Sequence, residues 1–497
     1  MMRFMTVPEL VAWAASRFPG RLALRDGMRE LTFRELARMV DRRAAGLASL
    51  GVGPGDRVLI AAGNSAALVE VWLGAMHVGA LPVAVNPSLT PAEAAYVVED
   101  IDPRLAVTTI EGATIRDAAT GRGVGHEFVD QIASSRSIVV HRAGALEPAA
   151  IVYTSGTTSR PKGVLVRHAA YTETGRAFPR WIGLGEDARL WVCLPLFHIN
   201  AQAYSLMSGL AHGYAVAISE RFHATTFWSE AQRLDVTHVN VVGAMLTFIE
   251  RQPETAWVES PLRTMYAAPA PTAARWRAFE RRFGVRLITG FGMTENTFGC
   301  AETTSSRYKD GAIGVPRQPT DNSFVNEVRV VTPDSRPAGV GERGELQFRN
   351  PVLTPGYWRA SEATARAIVD GWLRTGDAAY RDASGDVVLV GRYKEVIRRR
   401  GENIAPAEVE DVLLEHEAVR VAAVFGVPSE DSEEEVVAAV VLVAGSTVTA
   451  QELRELARTR LSAHKVPSII RFYSELPMTP TARVDKVELR RRYLSSD

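Results

Sequence analysis

The chain has 497 residues, 46% of them hydrophobic and 23% charged, with 57 Lys plus Arg set against 57 Asp plus Glu. A zero balance supplies no field to draw in nucleic acid or an anionic membrane surface, while the length allows roughly three domains and a large core. Two cysteines, Cys193 and Cys300, are too few for a disulfide framework and suit a reducing compartment.

In chain order, the first residues break their apolar run at Pro8 and Glu9, which predicts no signal peptide. Residues 31–50 carry helical periodicity that stops at Gly51-Val52-Gly53-Pro54-Gly55. Residues 57–61 then read as a strand, 66–78 as a helix and 81–85 as a strand. Thr90-Pro91-Ala92-Glu93 supplies an N-cap, a first-turn proline and a reciprocal Glu. Strand–helix–strand units of this length predict parallel sheets covered by helices. The last hundred residues differ: 404–416 reads as a helix, 419–427 and 436–443 as strands, and 449–461 as a helix opened by a second capping box, Thr449 with Glu452. The most apolar stretch, 436–445, is far shorter than the ~20 residues of a membrane span. The expectation is a cytoplasmic protein with no membrane span.

Tyr153-Thr154-Ser155-Gly156-Thr157-Thr158-Ser159-Arg160-Pro161-Lys162-Gly163-Val164 follows an apolar run, 149–153, that reads as a buried strand. Gly156 and Gly163 permit backbone angles that side chains resist. The hydroxyls of Thr154, Ser155, Thr157 and Thr158 and consecutive amides make an anion-binding concavity, and Lys162 adds a compact charge. A solvated turn is the competing reading, and the spacing is not that of a Walker loop.

This stretch resembles the signature loop of the adenylate-forming superfamily: acyl-CoA synthetases, peptide-synthetase adenylation domains and luciferases. Such enzymes join a carboxylate to AMP with loss of pyrophosphate, then pass the acyl group to a thiol or another acceptor. The resemblance runs through nearly the whole chain, with further motifs recurring in order up to Arg490. It implies an α/β fold: a large multi-sheet domain over 1–391, a hinge at 392–395 and a small mobile α+β domain over 396–497. ATP or AMP, Mg²⁺ and coenzyme A would be the cofactors and co-substrates.

The resemblance also assigns roles. Leu194-Pro195-Leu196-Phe197-His198-Ile199-Asn200 is similar to the motif bordering the acyl pocket, where His198 would touch the carboxylate or gate CoA entry; alone, a hydrogen-bonded loop His is the competing reading. Phe197, His198, Asn200, Val242 and Gly243 would line that pocket. Ala268 and Pro269 fall where small residues lie against adenine. In Thr289-Gly290-Phe291-Gly292-Met293-Thr294-Glu295 the glycines let the strand end approach the nucleotide, Phe291 stacks on adenine, Thr294 bonds phosphate and Glu295 holds Mg²⁺. Asp377 would take the ribose hydroxyls, Arg392 the ribose or a phosphate, and Lys394 the hinge position. Arg400-Gly401-Glu402-Asn403 matches the loop lining the pantetheine tunnel, and the Arg400 form resembles carnitine/crotonobetaine-type CoA ligases.

One departure stands out. Family members usually carry Gly-Lys where this chain has Ala482-Arg483, and that Lys bridges the substrate carboxylate and the α-phosphate. Arg is planar and less compact, so the change is not conservative; Lys486, three residues on, is a possible substitute. Two readings stay open: a complete acyl-CoA ligase, or a variant that mainly converts a supplied acyl-adenylate, made by a separate adenylating enzyme, into the CoA thioester. A stand-alone adenylation enzyme loading a carrier protein and a nucleotide-binding pseudoenzyme are the rivals. The sequence does not identify the acid.

Overall fold

The computed structural model describes residues 4–27, 29–135, 139–154, 161–268, 271–303, 306–392, 395, 397–399, 402–404, 406–429, 434–478 and 484–495, without the side chains of 392, 398, 402 and 403. Apolar runs too short for helices and separated by amphipathic stretches settle into two parallel sheets. The first has the spatial order Leu81–Val85, Arg57–Ala61, Leu105–Thr108, Gly125–Phe128. The second runs Leu22–Asp26, Ala215–Ile218, Arg189–Val192, His238–Val242, Thr264–Ala268, Arg286–Met293, all parallel. Two antiparallel strands, Asn296–Ala301 and Ala312–Pro316, extend it. A separate antiparallel hairpin pairs Pro148–Thr154 with Lys162–Arg167, ending in the register Thr154 opposite Lys162.

Local chemistry sets the helix boundaries. The helix Phe33–Ser49 starts at a capping box of Thr32 and Glu35, and Pro91–Ile101 at one of Thr90 and Glu93. Ala66–His77 is apolar nearly all round, and all twelve of its residues are buried, as expected of a helix with no polar face. Its one carboxylate, Glu70, is held by Arg43 at 3.0 Å and Arg29 at 2.5 Å. Arg43 also donates to the carbonyls of Val129 and Ile132 at 3.0 and 2.6 Å, so the charge is paired rather than stranded.

By contact the chain divides into two compact units, one from Met1–Thr154, Lys162–Val328 and Phe348–Arg374, the other from Arg329–Gln347 and Thr375–Asp497. In the second, Asp377–Arg381 pairs antiparallel with Val387–Arg392. Its C-terminal part has a three-stranded sheet in which Val419–Pro428 runs antiparallel to Glu434–Leu442 and Ile469–Tyr473 runs parallel to it. Helices Pro406–Leu414, Ala450–Arg460 and Lys486–Leu494 flank that sheet, and Thr449 and Glu452 form the expected capping box. The helix predicted over 404–416 begins later than expected. Ile404 closes a two-stranded ladder opposite Ile397, and Pro406 opens the helix, because a proline fits the first helical turn where no amide partner is needed. Both cysteines are buried and neither is in a disulfide. Among the described residues no helix is long and apolar enough to cross a membrane.

Candidate active site

In the first unit, the predicted acyl and adenine residues lie at the C-terminal ends of the parallel strands, the edge where open α/β sheets present ligands, while Thr154 and Lys162 face each other on the separate hairpin. The Leu194–Ile199 loop follows the strand Arg189–Val192. Val242 and Ala268 end their strands side by side in register, and Ala267 lies opposite Thr289 on the next strand. The candidate acyl and adenine residues therefore adjoin.

Arg286–Met293 turns back tightly, with Met293 opposite Asn296 and Thr294 and Glu295 in the turn. Glycines make this approach feasible. A Cβ on Gly290 would stand 2.6 Å from both the Cys300 carbonyl and the Tyr266 hydroxyl, and one on Gly292 would run into the Tyr204 hydroxyl. Phe291 stacks on the fully buried Phe348 with centroids 5.7 Å apart and planes 4° from parallel, which fixes the ring's orientation.

Glu295 is nearly buried, its carbonyl accepting from the Thr354 amide at 2.9 Å. Its Oε1 accepts from the Tyr357 hydroxyl at 2.8 Å. Lys162 Nζ lies 5.3 Å from the centroid of that same Tyr357 ring, within cation–π range. Tyr357 is placed by the hairpin: it bridges Val164, Leu165 N donates to Gly356 O at 3.0 Å, and Trp358 N donates to Gly163 O at 2.7 Å. Gly163 is needed here, since a Cβ would sit 2.7 Å from Ile151 Cγ2. One phenol thus joins the predicted phosphate lysine to the predicted metal carboxylate. Sequence reading missed Tyr357; its signal was an aromatic after Pro355-Gly356, with Gly356 at φ 141°. Upstream, the Tyr153 hydroxyl donates to Asp100, and burial, aided by that carboxylate, holds the phenol protonated.

A single protein carboxylate such as Glu295 suits Mg²⁺, which takes one or two protein carboxylates plus substrate phosphates. Among the described residues no group of three or more His, Cys, Asp or Glu is placed to hold a metal by itself.

The pocket motif is anchored by amides. Asn64 Nδ2 donates to the carbonyls of Leu194 and Ser219 at 3.0 and 3.1 Å, and Asn64 Oδ1 accepts from Leu196 N at 2.7 Å. Gln202 Nε2 donates to Leu196 O at 2.7 Å, and Gln202 Oε1 accepts from the Tyr171 hydroxyl at 2.6 Å. The Phe197 and His198 rings lie 4.5 Å apart. Asn200 opens a π-helix, Asn200–Leu206, a rare geometry that recurs at functional sites; Tyr204 on it donates to Thr297 O at 2.7 Å. Asn240 was also missed: from the strand His238–Val242 it donates to Asn200 Oδ1 at 3.0 Å.

In the second unit, Asp377 stands opposite Arg392 in the antiparallel register and is 8% exposed. Gly376, at φ 73°, donates to Glu345 Oε1 at 3.2 Å, and Asp377 N donates to Thr375 Oγ1 at 3.0 Å. Lys486 begins the last helix with Nζ 2.6 Å from Glu410 Oε1 and 3.9 Å from Glu395 Oε2. Arg399 is spent internally, donating to the carbonyls of His464 and Val466 at 3.0 Å each and pairing with Glu435 at 2.7 Å. Ser155, Gly156, Thr157, Thr158, Pro269, Lys394, Arg400, Gly401 and Arg483 lie outside the described residues, as do the side chains of Arg392, Glu402 and Asn403.

Residues 11–358 match the family model for AMP-binding enzymes, and 408–483 match the model for the AMP-binding enzyme C-terminal domain. The chain is 32% identical to a sulfoacetate–CoA ligase of Cupriavidus necator, over 98% of this chain and 97% of that protein. It is 27% identical to a crotonobetaine/carnitine–CoA ligase of Salmonella paratyphi A over 93% of each. The solved o-succinylbenzoate CoA synthetase of Bacillus subtilis, in complex with its acyl-adenylate intermediate, is similar at a TM-score of 0.88 and 26% identity, over 97% of this chain and 98% of that one. The same synthetase with ATP and magnesium ion gives 0.85, again at 26% identity, over 97% of this chain and 99% of that one.

Proposed function

We propose that this chain, which belongs to the AMP-binding enzyme family, works as an AMP-forming acid–CoA ligase. In the first half-reaction a carboxylate oxygen attacks the α-phosphorus of ATP, the bond to pyrophosphate breaks and acyl-AMP forms. In the second, the CoA thiolate attacks the acyl carbon and AMP leaves with the carbonyl–oxygen bond's electron pair. The observation that carries this reading is the Lys162–Tyr357–Glu295 arrangement, which puts a cation and a carboxylate at the foot of the phosphate hairpin.

Lys162 and the 154–158 hydroxyls would hold the polyphosphate, and Glu295 its Mg²⁺. That ion neutralises phosphate charge. Ala268, Pro269 and Phe291 would take adenine, and Asp377 and Arg392 the ribose. Phe197, His198, Asn200, Val242 and Gly243 would enclose the acyl group. Lys394 would be the pivot between the half-reactions, with Arg400–Asn403 receiving CoA. For the cation that joins carboxylate and α-phosphate we favour Arg483, because Lys486 is committed to Glu410 and Glu395.

That commitment also supports a second reading. With Lys486 occupied and an arginine at 483, adenylation would be slow, by about 10²–10³-fold if one preorganised contact is lost. The chain would then act mainly on acyl-adenylate delivered to it. Purified protein with MgATP, CoA and a panel of acids tests the proposal: acid-dependent AMP release should match thioester formation. ADP as product, or transfer to a phosphopantetheinyl carrier protein in preference to free CoA, would contradict it.

A further inference from the structure

Both strands of the phosphate hairpin are tied, near its outer end, to one residue of the helix Pro91–Ile101. Asp100 lies in the last turn of that helix, where carbonyls have no partner within the helix. Its carboxylate accepts from the Tyr153 hydroxyl, and its carbonyl accepts from Trp358 Nε1 at 3.0 Å. Tyr153 stands opposite Gly163 in the hairpin register, and Gly163 O accepts from Trp358 N at 2.7 Å. Asp100, Tyr153, Gly163 and Trp358 therefore close a ring around one register pair. The next pair outward is Thr154 opposite Lys162, and the residue before Trp358 is Tyr357, which bonds Glu295.

Charge and packing brace the ring. Two non-glycine residues at left-handed backbone angles, Asp102 at φ 50° and Arg359 at φ 47°, are joined by a bond of 3.1 Å from Arg359 Nη2 to Asp102 Oδ2. Such angles persist where the surroundings hold them, and they gather at functional sites. Arg57 and Arg359 lie 5.5 and 5.4 Å from the centroid of the Trp358 ring, within cation–π range, and Arg57 also donates to the Asp102 carbonyl. The hairpin's own ladder already pairs its backbone from Pro148 to Thr154. What the ring adds is a fixed position for the hairpin's outer end.

We infer that Asp100 is a positioning residue for polyphosphate binding: through Tyr153 on one strand and Trp358 on the other, it sets where Thr154 and Lys162 stand relative to Glu295. The inference rests on the ligase reading and deepens it. A site held in place before its ligand arrives binds more tightly because less ordering remains to be done. That gain falls on the phosphates that ATP carries and AMP lacks, since adenine is assigned to the separate strand Arg286–Met293.

The test compares ATP with AMP. Tyr153→Phe keeps the ring and removes only the hydroxyl, and Trp358→Phe removes the indole N–H. In each, the ATP concentration giving half-maximal acid-dependent pyrophosphate exchange should rise by about 10-fold. Exchange at saturating ATP, AMP affinity by calorimetry and the circular dichroism spectrum should stay as in the wild type. Asp100→Asn, which still offers an acceptor, should fall between the wild type and Asp100→Ala. ATP curves of both Phe variants that overlay the wild type overturn the inference. So do ATP and AMP affinities that fall together, which is the mark of a general loosening. A wild type without acid-dependent exchange overturns the ligase reading instead; calorimetry of Tyr153→Phe with AMP and a non-hydrolysable ATP analogue then reads the same contrast.

Discussion

The Tyr357 hydroxyl donates to Glu295 Oε1 at 2.8 Å while its ring lies under Lys162. Hydrogen bonds to charged groups are worth about 1.5–3 kcal/mol. Tyr357→Phe keeps the ring and loses the bond, so the Mg²⁺ concentration needed for half-maximal adenylation should rise by roughly 10- to 100-fold. Tyr357→Leu, losing the cation–π contact too, should additionally weaken ATP binding. A Mg²⁺ titration of the Phe variant that overlays the wild type would remove Tyr357 from the site.

Asp377 is nearly buried on a strand whose turn is fixed by Gly376 and Thr375. If Asp377 takes the ribose hydroxyls as proposed, Asp377→Ala should weaken AMP binding by about 10- to 100-fold with the circular dichroism spectrum unchanged. Calorimetry returning the wild-type affinity would refute the ribose assignment.

The two C-terminal cations should behave differently. Lys486 holds Glu410, whose Oε1 also accepts from Val424 N at 2.6 Å, so it is read as structural. Lys486→Ala should lower stability by about 1 kcal/mol and barely change adenylation. Arg483→Lys should raise carboxylate-dependent pyrophosphate exchange and leave thioester formation from synthetic acyl-adenylate nearly as it was. If Lys486→Ala instead abolishes exchange, the displaced lysine carries the chemistry and Arg483 does not.

Burial, the larger cause in each, lowers His168 and His238 to about 4; His168 Nδ1 also accepts from the Val7 amide at 3.2 Å. Both are neutral when folded, whereas the unfolded chain takes up protons below about pH 6.5. Their contribution is intact above that pH and is lost as pH falls toward 4, by about 2 kcal/mol each at pH 5. The melting temperature should therefore drop between pH 7 and 5. His168→Gln should flatten the drop; a wild-type melting temperature constant over that range would contradict the two neutral imidazoles.

What the sequence made legible is local. The Thr90–Glu93 and Thr449–Glu452 caps are complete within four residues, and the strands Arg57–Ala61 and Leu81–Val85 are apolar runs bounded by turns. The glycines around Phe291 read as room for a nucleotide; in the fold their missing Cβ atoms leave room for the Tyr204 and Tyr266 hydroxyls. Tyr357 and Asn240 were illegible for the opposite reason. They meet their partners across 62 and 40 residues, through a hairpin bridge and a parallel register that no local pattern encodes. Helix periodicity over 404–416 misled at its start because Ile404, apolar and in phase, serves the ladder with Ile397 instead.

On the ligase reading, one chain activates an acid with ATP and then transfers it to CoA. Acid-dependent exchange of labelled pyrophosphate into ATP, run beside thioester formation from synthetic acyl-adenylate, tests it most directly. Both activities are expected in the wild type, and in Glu295→Gln a loss of exchange of about 10²–10³-fold with transfer retained. Exchange that needs no acid, transfer that needs no CoA, or a Glu295→Gln enzyme with full exchange would contradict it.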